Sequence, residues 1–176
     1  MTKPAANALF DLIRADHARF SVLAGRGQRG SVWRAFLHPR VAPVAWFRLS
    51  NWLYRKGLSP LAAVITQLNI LLFKVEIPAR AVIGPGLVLP HPMGIVLGSA
   101  SIGRDVTIFQ NVTVGARSFD GAYDLTSRPV IGDGATIGCG AVLLGPIKIG
   151  PGVAVRANAL ITRDMVAEQR GSAAND

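Results

Sequence analysis

The sequence predicts a mainly β protein: a parallel β-helix, a solenoid of short strands, closed at its N-terminal end by an α-helical cap. Three observations carry this. An aliphatic residue returns at every sixth position through Ile131, Ile137, Leu143, Ile149, Val155 and Ile161. A second apolar residue follows four places after each, at Ala135, Ala141, Ile147, Val153, Ala159 and Met165. The charge is also divided: Lys and Arg number 12 against 3 acids over residues 1–80 and 7 against 7 over residues 81–176, so the whole formal charge of +9 belongs to the N-terminal part.

A helix of period 3.6 cannot keep a six-residue stripe on one face, and a strand of period two does not call for recurrent glycine. A chain that turns a corner every six residues does both, with three short strands to a coil and each coil burying its aliphatics against the next. Gly132, Gly138 and Gly150, with Asp133-Gly134 and Asn158, are the expected positive-φ corners. Upstream, Ile77, Ile83, Leu89 and Ile95 keep the period; one extra residue intrudes, and Ile102, Ile108 and Val114 resume it. The period stops between Gly115 and Pro129, in a polar stretch holding Ser118, Asp120, Gly121, Asp124 and Arg128, which predicts a loop leaving the solenoid at 115–129.

A solenoid of about four coils needs its ends covered. Residues 1–75 form the predicted basic helical region, residues 76–166 the β-helix, and 167–176 a polar tail expected to be disordered. Ala5–Phe20 reads as a helix with Leu9, Leu12, Ile13 and Phe20 inward and Asp11, Arg14, Asp16 and Arg19 outward; Ala24–Gly30 is a break. A second helix covers Val41–Lys56, and Gly57, Ser59 and Pro60 end it and begin a third that runs through Phe73. Trp46, Trp52, Tyr54 and their basic neighbours fit either an interfacial membrane helix or one packed on its neighbours and on a sister subunit; aromatic stripes at this spacing favour packing. Leu61–Phe73 is too short to span a bilayer, and Met1–Phe10 lacks the long apolar core of a signal peptide. No recognition module for nucleic acid accompanies the basic charge. The single cysteine, Cys139, excludes an intrachain disulfide and suits a reducing cytoplasm.

Of three histidines, His17 lies in the first helix and His38 precedes Pro39, while His91 interrupts the solenoid in Leu89-Pro90-His91-Pro92-Met93-Gly94. A solvent-facing imidazole on an apolar scaffold points to function. A catalytic zinc in a β-helix needs further histidines in the coils, and these are absent from the sequence, so no metal is expected.

The segments FLHPRVAPVAWFRLSNWL (36–53), KVEIPARAVIGPGLVLPHPMGIVLGSASIGRDVTIFQNVTVG (74–115) and RPVIGDGATIGCGAVLLGPIKIG (128–150) together resemble the serine acetyltransferase family, including its relatives in polysaccharide biosynthesis. The block His91-Pro92-Met93-Gly94-Ile95-Val96-Leu97-Gly98 and the aromatic helix are more specific to it than the repeat alone. The resemblance implies a left-handed coil, a homotrimer that can pair into hexamers through the N-terminal helices, and acetyl transfer from acetyl-CoA to a hydroxyl at a site shared between subunits. By position it makes His91 the general base and Glu76 its carboxylate partner. It puts Ala116, Cys139 and Ala157 along the pantetheine path, with backbone amides near Gly115 as candidate oxyanion donors. The chemistry agrees: an alcohol needs a neutral imidazole to take its proton, and a carboxylate fixes the tautomer and stabilises the imidazolium. Cys139 reads as a small corner residue ahead of a thiol open to modification.

Three departures bear on the acceptor. Where serine-specific members place an aspartate before the base this chain has Pro90; in place of an Arg-His-Pro in the loop it has Ser127-Arg128-Pro129; and residues 21–40 contain no acid. A substrate ammonium without a carboxylate partner binds poorly. The expected acceptor is therefore a sugar or polysaccharide intermediate rather than free serine, with serine O-acetyltransferase as the alternative and a non-catalytic scaffold as the reading of another class. Arg128 either binds an acceptor anion or ties the loop to Asp120 or Asp124.

Overall fold

The computed structural model describes residues 7–27, 32–98, 100–118 and 124–166. The tail 167–176, Asp120 and Gly121 of the loop, and Ala5 of the first predicted helix lie outside the described residues.

The left-handed parallel β-helix is the architecture. Sheet A stacks β1 (Val75–Glu76), β3 (Ile95–Leu97), β6 (Thr113–Gly115), β9 (Val142–Leu144) and β12 (Leu160–Ile161). Sheet B stacks β2 (Val82–Ile83), β4 (Ser101–Ile102), β7 (Val130–Ile131) and β10 (Lys148–Ile149). Sheet C stacks β5 (Thr107–Ile108), β8 (Thr136–Ile137) and β11 (Ala154–Val155), and a bridge from Val88 to Thr107 extends it into the first coil. All pairings are parallel, and the pairs Ile102↔Ile131, Ile108↔Ile137 and Val114↔Leu143 put the six-residue series in vertical ladders. Ile131, Ile137, Leu143, Ile149 and Val155 are buried on the axis, while Ile161, in the last coil, is only partly covered.

Two details differ from the sequence reading. The register break is double: Leu97, not Ile95, pairs with Val114, so two extra residues sit in the Pro90–Gly94 corner and one is missing from the next. Of the expected positive-φ corners Gly134 and Asn158 take that conformation, but Gly132, Gly138 and Gly150 do not; Gly140 and Gly152 do so instead, with Asn111 and Gly94 in the earlier coils. Gly132 and Gly138 serve close approach instead. A Cβ on Gly138 would stand 2.6 Å from the backbone nitrogen of Ala157, and one on Gly132 the same distance from that of Pro151.

The cap comprises α1 (Asn7–Leu23), α2 (Val32–Leu37), α3 (Ala42–Arg55) and α4 (Ser59–Phe73). The short α2 was not predicted; its buried Val32 and Ala35 join Leu9, Ile13, Phe20, Val41, Ala45 and Val88 in a small core. Val44 and Phe47 of α3 enter the main core of the coils. Asp16, expected on an outer face, is instead buried with Arg48 where the cap meets the first coil. Arg48 Nε donates to Asp16 at 2.8 Å, and its terminal nitrogens donate to the carbonyls of Ile83 and Gly84. Asp16 accepts in addition from the N–H groups of Gly86 and Leu87. Arg19 donates to the carbonyls of Gly86 and Val106. Charged side chains of the helices thus complete the hydrogen bonding of the first coil.

Trp46 is half-buried with its ring edge-on to Phe73, and Trp52 is half-buried beneath the Lys56 ammonium, so the aromatic helix is packed. Among the described residues no helix is long and apolar enough to cross a membrane. On α4 only Ala62 and Asn69 are buried, leaving Leu61, Val64, Leu71 and Leu72 exposed.

Candidate functional site

Corners, not strand faces, carry the candidate residues. At the corner from sheet C to sheet A the backbone stacks tightly: the N–H groups of Asn111, Gly140 and Asn158 donate to the carbonyls of Met93, Gln110 and Cys139. Met93, Gln110, Cys139 and Ala157 are therefore equivalent positions of successive coils. His91 lies two residues before Met93, exposed, at the head of this edge. Cys139 is half-buried and Ala157 exposed, so the two steps of the edge farthest from the imidazole present short side chains, after Met93 and Gln110.

Ala116 and Arg128 belong to the opposite edge, from sheet A to sheet B. A Cβ on Gly115 would meet nothing within 4 Å, and a cleft of about 220 Å³ opens there between Ala116, Ser127 and Gly145. Arg117, which the sequence did not single out, roots the loop by donating to the carbonyl of Thr162 and packing over Gly145. Arg128 is buried, its guanidinium over Gly98, where a Cβ would come within 3.3 Å of Nη1. Asp124 is exposed; hydrogen bonds from the Thr126 hydroxyl and N–H hold its carboxyl below the usual range, with a smaller contribution from Arg128. A single chain therefore separates Ala116 and Arg128 from His91, Cys139 and Ala157 by the width of sheet A.

The expected contact between His91 and Glu76 is not formed. Glu76 pairs with Val96 in the β1–β3 ladder and is exposed, in a cleft with Tyr54, Thr66, Gln67 and Arg80. His91 lines a different cleft, of about 340 Å³, with Arg40, Leu72, Phe73, Lys74 and Met93. The reason is register: a strand residue projects from the sheet, whereas the enlarged Pro90–Gly94 corner carries His91 off the edge.

A third region was also unread. His17 and His38 face each other at 6.4 Å between ring centroids, in a cleft of about 730 Å³ with Arg26 and Arg34. Burial, then the positive charge of His17, Arg26 and Arg40, holds the His38 imidazole below its ordinary value.

Residues 128–163 match the family model of the bacterial transferase hexapeptide, six repeats. The chain is 38% identical over 129 residues to the serine acetyltransferase of Mycobacterium tuberculosis, covering 73% of this chain and 55% of the relative. It is 34% identical over 130 residues to the serine acetyltransferase of Helicobacter pylori, covering 73% and 74%. The solved structure of soybean serine acetyltransferase complexed with serine superposes with a TM-score of 0.77 at 30% identity, covering 93% of this chain and 68% of that one. The chain spans about half the length of the mycobacterial relative.

Proposed function

The chain belongs to the serine acetyltransferase family, and from that membership we propose that it transfers an acetyl group from acetyl-CoA to the hydroxyl of a small acceptor. The observation that carries the reading is the exposed His91 at the head of an edge whose far steps, Cys139 and Ala157, are short. The imidazole takes the acceptor's hydroxyl proton as the oxygen attacks the thioester carbonyl. A C–O bond forms, the C–S bond breaks, and the imidazolium returns the proton to the departing sulfur. Cys139 and Ala157 leave room for an extended pantetheine arm, and the open face of Gly115 offers the same on the other edge.

L-Serine is the leading acceptor. The sequence preference for a sugar, drawn from Pro90, from Ser127-Arg128-Pro129 and from the lack of acid in residues 21–40, finds no support in the three relatives described above, each named a serine acetyltransferase. The active unit is a trimer in this reading, because Arg128 and Ala116 of one copy and His91 of another then share a cleft. The apolar outer face of α4 supplies contact surface for that assembly or for its pairing into a hexamer. Thiol release from acetyl-CoA tests the function, with L-serine against a panel of sugars and His91→Ala as the blank. His91-dependent release with serine is expected. Release with sugars alone restores the polysaccharide acceptor, and a silent panel leaves a scaffold.

A further inference from the structure

Two clefts open on either side of Pro90-His91, and one side chain lines both. Arg40 borders the 340 Å³ cleft of His91 and the neighbouring cleft of about 420 Å³ that contains Pro90, Ala24 and Phe109. Among the described residues, neither cleft has a carboxylate in its wall. The Arg40 N–H donates to His38 Nδ1 at 3.3 Å, tying down the His38-Pro39-Arg40 corner. Its guanidinium has no acid partner among the described residues, whereas Arg14, Arg19 and Arg48 each have one. Lys74, the other cation of the cleft, donates to the carbonyl of Leu71 at the end of α4.

From these observations, and resting on the acetyl-transfer reading, we infer that Arg40 binds the carboxylate of the acceptor beside His91, and that the site takes hydroxy-carboxylates without requiring an ammonium group. A guanidinium presents paired N–H donors matched to a carboxylate, and one without an acid partner beside a candidate base is open to such a ligand. An ammonium finds no carboxylate among the described residues of either cleft. L-Serine binds through its carboxylate, and its analogue lacking the amine binds comparably.

The experiment compares L-serine, 3-hydroxypropanoate (no ammonium) and L-serinamide (no carboxylate) on the full chain, its Arg40→Ala and its Arg40→Lys variants, by thiol release from acetyl-CoA. In the unmodified protein 3-hydroxypropanoate stays within about tenfold of serine in kcat/KM, and serinamide falls about 100-fold lower. Arg40→Ala raises KM for both carboxylates about 100-fold and leaves serinamide unchanged; Arg40→Lys recovers part of the loss. Equal turnover of serinamide and serine, or equal loss of both in Arg40→Ala, overturns the inference. Should no acceptor release thiol, acetyl transfer itself fails. Calorimetric binding of 3-hydroxypropanoate then decides separately: Arg40-dependent binding upholds the carboxylate site, and its absence removes it.

Discussion

The junction between the cap and the first coil and the corner around His91 are both rich in nitrogen, yet they handle it in opposite ways. At the junction Asp16, Arg19 and Arg48 meet one another or the first-coil backbone, so that carbonyls without a further coil to bind them are satisfied by side chains. At the corner His91 and Arg40 are exposed, with no carboxylate among the described residues of the clefts they line. The contrast separates two uses of charge on one scaffold. Satisfied groups hold the parts together, while unsatisfied ones beside a cleft are available to a ligand or a second chain.

The comparison breaks most visibly at the junction. Arg48→Ala leaves Asp16 buried without its cation and costs about 3–5 kcal/mol, read as a lower urea midpoint; replacing both by apolar residues costs less. A loss below about 1 kcal/mol would mean that the pair is more hydrated than its burial implies. At the corner the same kind of deletion acts on rate: His91→Ala lowers kcat about 10²–10⁴-fold and leaves the unfolding midpoint within about 0.5 kcal/mol. Gly138→Ala, on the same edge, forces a methyl against the Ala157 backbone and costs about 1–3 kcal/mol by chemical denaturation. Glu76→Gln is sharper still as a test, because the two side chains line separate clefts. It lowers kcat less than about tenfold, and a loss as large as that of His91→Ala would show that the pair forms during turnover.

The smallest effect is on pH. The folded His38 pKa lies below its unfolded value near 6.5, so the unfolded chain binds more protons between the two values, and stability falls as pH drops through that window. Denaturation midpoints between about pH 7.5 and 5.5 show the decline in the parent chain, and His38→Gln removes that part of it.

The interior of the solenoid was legible because every coil repeats one demand: an aliphatic on the axis at Ile131, Ile137, Leu143 and onward. His91 was legible for the converse reason, as a polar interruption in that monotony. The junction was not. Asp16 and Arg48 sit on helices whose apolar stripe says only which face is buried, and nothing local says that the end of a β-helix docks there with bare carbonyls. Nor did the six-residue count place the double register break, since Ile95 and Leu97 are both buried and only pairing tells them apart. Arg40 was not singled out in the sequence; that no acid among the described residues pairs with it beside His91 shows only in three dimensions.

The edge below His91 is graduated. Each hydrogen-bonded step from Met93 to Gln110, Cys139 and Ala157 advances one coil, about 4.8 Å, so these four marks span roughly 14 Å. A molecule that reaches the imidazole while resting on Ala157 must be a long, slender one. The edge is a ruler whose length changes only in whole coils, and a chain with one coil fewer would suit a donor shorter by that one division.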